Sequence, residues 1–484
     1  MDPSGHYLAL MDYTGNLIYF FNGNYQSGSS ISNFKIMNNK LFNFYKGGLF
    51  FLADSNFNIV DTISAVNGCT NDSHDMQLLS NGNFLILARE KVIMDLSGFN
   101  MFTHNQTPGD SAALVTCGVL QEFTPAGQLV WEWKTRDHFA FDDVNEIWLN
   151  EPDTFDWTHL NAIQEDADGN ILVSSRFFNE IFKVNHSTGE IMWRFGGNHN
   201  EFTSINDSIP FKGQHDIRVL PNGNYTLFDN GYFFPKHKAK AEEFILDTIN
   251  HTATFIRIIY AADSGFSSSR GNAQFLADGK VVIDWGKMSN DNLVFSAVDT
   301  DDVEICRFAF SDSLTSYRTY YYSGLPWKIN QPEISCFDSL GFILLRAPAG
   351  YGNYLWSTGS TSSSIVVQPL DTVWVYVKTG TMGGMLSSLK YIADPTISCE
   401  NFIPNYNDDI VKIFPNPASE NIIISGKVIS EIEIENVIGQ RIFTESYSDS
   451  FLTRQVSIEN FSPAIYFVKL TIGENKFVYK IEKL

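Results

Sequence analysis

His159-LNAIQEDADGNILVSSR-Phe177 and His215-DIRVLPNGNYTLFDN-Gly231 are two copies of one hairpin, and their reading decides the fold. A third copy, His74-DMQLLSNGNFLILAR-Glu90, precedes them, and a fourth, Gly271-NAQFLADGKVVIDWG-Lys287, keeps the pattern without the histidine. Asn81-Gly82, Asp168-Gly169, Asn222-Gly223 and Asp278-Gly279 sit between alternating apolar runs, the strongest short signal for a hairpin turn.

If each turn is a two-residue loop with positive φ at both positions, residues equidistant from it face each other across the ladder. His74 then opposes Arg89, Asn161 opposes Arg176, and His215 opposes Asn230. His159 lies two residues before Asn161 and shares its face. A bulge would shift each pairing by one residue. The shared offset gathers His74, His159, Asn161, Arg176 and His215 at one end of successive hairpins.

With 484 residues the chain is long enough for two to four domains with sizeable cores. Aromatic residues make up 14% and charged residues only 18%, a balance that favours β-rich structure over disorder or coiled coil. A formal net charge of −22 argues against nucleic acid as a partner. An anionic small molecule would need a local positive pocket, which Arg89, Arg176 and any protonated histidine could supply. Cys69, Cys117, Cys306, Cys336 and Cys399 show no zinc-finger or CxxC spacing, and Cys69–Cys117 and Cys336–Cys399 are possible disulfides. No apolar run is long enough for a transmembrane helix. Met1-DPSGHYLALMDYTGNLIYF already reads as a hairpin, so the expectation is a start inside a folded domain, with an export signal missing upstream.

From residue 1 to about 325, short strands alternate with Gly, Asn and Asp turns. Only His237–Phe244 and Asp142–Leu149 suggest a turn or two of helix. Gly47-GLFFLADSNFNIVDTI, Leu120-QEFTPAGQLVWEW and Ile181-FKVNHSTGEIMWRFGG supply further strands, so each unit holds two hairpins. The later units recur about every 56 residues, and radial repetition of four-stranded sheets predicts a β-propeller of about six blades. A stacked solenoid is the runner-up. Residues 331–399 read as a small immunoglobulin-like β-sandwich, 400–410 as a polar linker, and 411–484 as a C-terminal β-sandwich; the fold class is all-β.

Tyr354-LWSTGSTSSSIVVQPL is similar to short Ig-like modules of Bacteroidetes surface proteins. Val411-KIFPNPASENIIISG, Ile432-EIENVIGQRIF and the closing Lys480-IEKL closely resemble the type IX secretion C-terminal sorting domain. That resemblance implies the type IX machinery as a partner, and export to the cell surface or medium.

Asp156-WTHLNAI, Asp168-GNILVSSR, Thr188-GEIMWRFGG and Gln214-HDIRVLPNGNYTLFDNG, in that order, resemble the arylsulfate sulfotransferase family over residues 40 to 320. The resemblance implies a six-bladed propeller that moves a sulfuryl group from an aryl sulfate donor to a phenolic acceptor, without a nucleotide donor. It makes His215 the nucleophile, carrying a sulfohistidine intermediate. His159, Asn161, Arg176 and His74 bind and polarise the sulfuryl group. Such transfer needs positioning and charge neutralisation, and Arg176 offers a charged fork of donors. A neutral imidazole attacks without a strong base, His74 or His159 protonates the leaving phenolate, and ping-pong kinetics follow. No metal or dissociable cofactor is called for.

Each residue also has a plainer structural reading. A histidine at a strand end often only satisfies a loop carbonyl, and Arg176 could pair with Asp168 or Glu180. Arg89, with Glu90 to neutralise it, and Arg194 read as structural; Asp75 and Asp216 read as hydrogen-bond partners in blade packing. His199, His237 and His251 are given no role. A P-loop, a GxSxG elbow, an HExxH motif and EF-hand spacing are absent from the sequence. The alternative function is a non-catalytic propeller that binds a ligand or glycan at the cell surface.

Overall fold

The computed structural model describes residues 6–23, 31–101, 107–144, 149–151, 154–233, 236–262, 265–289, 293–309, 315–339, 342–393, 399, 411–472 and 475–484. Strands dominate, and the only helical pieces among the described residues are two single 3-10 turns, Thr135–Asp137 and Phe141–Asp143. The chain forms two compact units: Met1–Gln331 with Lys378–Ser387, and Pro332–Val377 with Ser388–Leu484.

The first unit repeats one motif, an antiparallel meander of four strands. Five such blades run Ile31–Ile63, Thr70–Lys134, Leu160–Gly196, His215–Tyr260 and Asn272–Ala309, with extra edge strands on the second and fourth. The hairpin Tyr7–Met11 and Leu17–Asn22 starts a sixth sheet, and Gly384–Ser387 adds to it, pairing Leu386 with Tyr19.

Each blade is apolar on both faces and so needs a neighbour on both. One apolar cluster fills each gap between consecutive blades, from the first to the fifth. Phe50 and Leu52 meet Met76 and Ile86 between blades one and two. Leu87 and Val115 meet Val173 and Phe182 between two and three. Leu172 and Trp193 meet Ile217 and Phe244 in the next gap, and Phe228 and Ile259 meet Val281 and Ile283 in the last. The first strands of successive blades also touch, which sets the sheets radially about an axis as a β-propeller.

Residues 315–327 close the ring on the inner side. Asn272 exchanges two hydrogen bonds with the Thr319 backbone, at 2.8 and 2.9 Å, and the Tyr322 hydroxyl accepts from the Ile36 amide at 2.8 Å. This stretch therefore joins the fifth blade to the first.

The turns differ from expectation in type. Only the glycine of each pair has positive φ: Gly82 at 85°, Gly169 at 79°, Gly223 at 86° and Gly279 at 83°. The loops are three residues long, a type I turn closed by a glycine bulge, as in Leu79, whose N–H bonds to the Asn83 carbonyl. The preceding Asn or Asp decides this, because its side chain accepts the amide two residues on: Asn83 to Asn81 at 2.9 Å, Asn224 to Asn222 at 3.0 Å. The register accordingly moves by one residue.

A second irregularity sits at the axial end of the inner strands, where the ladder breaks at Ser32/Lys35, Asn71/Met76, Leu160/Ala162 and His215/Arg218. Arg89 therefore pairs with Thr70 rather than His74, and His215 with Phe228 rather than Asn230.

His237–Phe244 is not helical: Lys240–Asp247 is a strand held on both edges by Tyr225–Asp229 and Thr252–Tyr260. Two full ladders outweigh a weak local preference. Asp142–Leu149 shows one 3-10 turn at its start, and residues 145–148 lie outside the described residues, as does the expected linker 400–410.

In the second unit, Cys336 and Cys399 are disulfide-bonded, whereas Cys69 and Cys117 in the first are free and buried. Its C-terminal part is a β-sandwich built on two long bent strands, Asn421–Asn436 and Arg441–Ser457, with Val411–Phe414, Ala464–Ile472 and Asn475–Lys483. Ile422, Ile424, Ile432, Ile434, Val468, Leu470 and Ile481 form its core.

Candidate active site

The broken axial ends of the inner strands carry the histidines. His74 lies inside the Asn71–Met76 bulge. His159 precedes Leu160–Glu165 with φ of 44°, a left-handed geometry that turns its ring away from the ladder direction. His215 opens the fourth blade, and Arg176 follows Ile171–Ser175, its amide donating to the His159 carbonyl at 3.0 Å.

Each imidazole is fixed through Nδ1. For His74 the partner is the Asp72 carboxylate, which also accepts from Arg89 Nε at 2.5 Å. For His159 it is Asp156, at 2.6 Å. The rings of His74 and His159 meet edge to face with centroids 4.9 Å apart. His215 is 2% exposed, and its Nδ1 faces two acceptors, Asn230 Oδ1 at 2.7 Å and the Gly213 carbonyl at 3.1 Å. With acceptors alone around it, Nδ1 carries the proton and Nε2 the lone pair.

Arg176 is buried, and among the described residues no carboxylate pairs with it. Its Nη2 donates to the Ser268 carbonyl at 2.8 Å, and its buried Nε has no partner. The rings of Phe177, Tyr232 and Phe233 surround the guanidinium at 5.4, 5.7 and 5.1 Å. The plainer partners are taken, because Asp168 pairs with Lys183 and Glu180 holds Arg194. A desolvated cation left in this state is a receptor for an anion.

Neighbouring contacts tie these groups into one place. Ser267 donates to the Asn230 carbonyl at 2.8 Å while Ser268 accepts from Arg176, which sets the partner of His215 beside Arg176. Asn161 is fully buried; its amide donates to the Gln214 carbonyl at 2.7 Å, and its Oδ1 has no partner.

Burial, reinforced by the charge of Arg176, drives the His215 pKa well below the ordinary imidazole value. Burial likewise lowers His159 to about 4, against the opposing pull of Asp156. Arg176 falls to about 10 through desolvation and stays charged near neutrality.

Beneath the histidines lies an axial ion cluster. Asp75 accepts from Lys35 at 2.8 Å and Arg218 at 3.0 Å and lies 3.3 Å from Arg318; Asp216 lies 2.6 Å from Arg218. Asp75 thus holds blades together, as its sequence reading has it, whereas Asp216 faces Arg218 of its own strand. Arg318 also donates to the Asn161 carbonyl at 2.8 Å, and the Tyr317 hydroxyl to the His74 carbonyl at 3.0 Å.

The structure thus brings His74, His159, Asn161, Arg176 and His215 to one end of the axis. The His74–Arg89 and His215–Asn230 contacts form through side chains, although the ladder pairs Arg89 with Thr70 and His215 with Phe228. Sequence reasoning missed Asp72, Asp156, Tyr317 and Arg318. The first two stand two and three residues before their histidines, a local signal; Tyr317 and Arg318 come from the ring-closing stretch, where no repeat flags them. Two clefts of about 260 and 360 Å³ lie elsewhere, beside Trp133 and beside Phe44.

The Arylsulfotransferase (ASST) family model matches residues 14–300, and the secretion system C-terminal sorting domain model matches 412–483. The sorting domain marks the protein for export, so it is secreted or held at the cell surface; no helix among the described residues is long and apolar enough to cross a membrane. No curated protein matches the chain. Among solved structures, a protein of unknown function from Bacteroides caccae is 12% identical, covering 63% of this chain and 94% of its own, with a TM-score of 0.40. A virginiamycin B lyase from Staphylococcus aureus is 10% identical over 79% of this chain and 99% of its own, at 0.34.

Proposed function

Since this chain belongs to the arylsulfotransferase family, we propose that it moves a sulfuryl group from an aryl sulfate ester to a phenol through a sulfohistidine at His215. One observation carries the reading: a buried, neutral imidazole with its Nδ1–H committed stands beside a buried guanidinium with which no carboxylate among the described residues pairs.

In the first half-reaction the Nε2 lone pair of His215 bonds to sulfur as the sulfur–oxygen bond to the aryl group breaks. Arg176 holds the sulfuryl oxygens, with the Asn161 amide nearby. The ring gains positive charge as it is sulfated, and the acceptors on Nδ1–H stabilise that charge where it develops. The departing phenolate takes a proton. His74, held through Nδ1 by Asp72, is the donor in this reading.

In the second half-reaction the acceptor phenol returns its proton to His74. Its oxygen then takes the sulfuryl group, and the nitrogen–sulfur bond breaks to restore neutral His215. The donor leaves before the acceptor reacts, so the kinetics are ping-pong.

Incubating the exported protein with 4-nitrophenyl sulfate, with and without phenol, tests this. Nitrophenol release that depends on phenol supports transfer. Release that ignores phenol points to hydrolysis, and no release points to a ligand-binding propeller.

A further inference from the structure

The positive character of the site does not end at Arg176. Tyr232 lies between two cations: the Arg176 guanidinium is 5.7 Å from its ring centre, and the Lys236 ammonium is 4.8 Å from the same point. Lys236 is also 4.3 Å from the ring of Phe266, whose centre is 5.5 Å from that of Tyr232. Exposure rises along this line. Arg176 is buried, Tyr232 and Phe266 are half-buried, and Lys236 is exposed.

Charge balance makes the pattern informative. The chain carries 55 acidic against 33 basic residues, so an exposed lysine meets a carboxylate easily. Among the described residues none pairs with Lys236, and none pairs with Arg176. Two unpaired cations, Arg176 over Tyr232 and Lys236 over both Tyr232 and Phe266, suit a molecule with an anion at each end of a ring. They also offset, locally, the repulsion that a strongly acidic protein exerts on an anion.

On the proposed sulfuryl transfer, we propose that Tyr232 and Phe266 form the aryl subsite and that Lys236 selects aryl sulfates bearing a second anionic substituent far from the sulfate. Arg176 takes the sulfate end, the adjoining rings of Tyr232 and Phe266 line one side of the aryl group, and Lys236 meets the remote charge at the solvent edge. The selection acts on binding, so it falls mainly on KM.

The test compares kcat/KM for 4-carboxyphenyl sulfate and 4-nitrophenyl sulfate, with phenol as acceptor, in wild type, Lys236→Met, Lys236→Glu and Lys236→Arg. The carboxy-to-nitro ratio is expected to fall about threefold to fivefold in Lys236→Met, the scale of one exposed charge pair, and further in Lys236→Glu. Lys236→Arg restores the ratio, and added salt shrinks the difference between wild type and Lys236→Met. Unchanged unfolding midpoints show that the variants fold. A ratio that stays constant across all four proteins overturns the inference and leaves the sulfuryl-transfer reading intact. Wild-type protein that turns over neither ester removes that reading, and this inference with it.

Discussion

Asn230 sets the tautomer of His215: its Oδ1 lies 2.7 Å from Nδ1 because its own nitrogen is committed to the Arg270 carbonyl at 2.9 Å. The lone pair is thereby left on Nε2, the atom that attacks sulfur in the proposed transfer. Asn230→Ala is expected to lower kcat about tenfold to a hundredfold, the scale of one lost orienting hydrogen bond to a group that becomes charged. The drop stops there because the Gly213 carbonyl remains. Steady-state rates with 4-nitrophenyl sulfate and phenol check it, with the unfolding midpoint as the control.

Arg176 has the signature of a residue kept for function at a cost in stability. Its guanidinium is desolvated and forms no ion pair with a carboxylate among the described residues, so Arg176→Met is expected to leave the unfolding midpoint unchanged or raise it. Activity should fall by about a hundredfold or more, as for a lost electrostatic clamp on the transferred group. Inorganic sulfate should raise the midpoint of wild type and not of the variant. Thermal melts with and without sulfate measure both.

The axial cluster makes the opposite prediction. Asp75 compensates Lys35, Arg218 and Arg318, two of whose side chains are less than a tenth exposed. Asp75→Asn keeps the shape and removes the charge, leaving buried cations uncompensated. It should cost about 3–5 kcal/mol in urea unfolding.

Acid pH acts through the depressed histidines. A histidine whose folded pKa lies below its unfolded value binds a proton on unfolding in the interval between, so stability falls as pH falls through it. For His159 the interval runs from the unfolded value of about 6.5 down to about 4, and its contribution is fully present above it. The proposed nucleophile follows the same sign. Burial and the charge of Arg176 keep His215 neutral below the ordinary imidazole range, so the acid limb of kcat/KM should sit well below pH 6.5. Profiles of kcat/KM from pH 4 to 8, paired with unfolding at pH 7 and 5, check both.

Much of this was legible in the sequence. Asn81-Gly82 and its repeats marked the hairpins, their spacing gave the blades, and one offset picked out His74, Asn161 and His215. The ladder register was not legible, because a glycine bulge and an Asx turn add one residue to each loop without altering the apolar alternation. Lys240–Asp247 was hidden for a related reason: a buried lysine and glutamate whose charges lie 2.6 Å apart read as a polar, helix-compatible run. Arg318 was out of reach, since only ring closure carries residue 318 to the axis beside Asp75.

The account rests on His215 becoming covalently sulfated. The most direct measurement mixes enzyme with excess 4-nitrophenyl sulfate and no acceptor, quenches at neutral or basic pH, and follows nitrophenol release and the mass of the His215 peptide. One equivalent of nitrophenol per enzyme, with one SO3 added to the peptide and discharged by phenol, is the predicted result. A full burst in His215→Ala, or SO3 carried by a different residue, would contradict it.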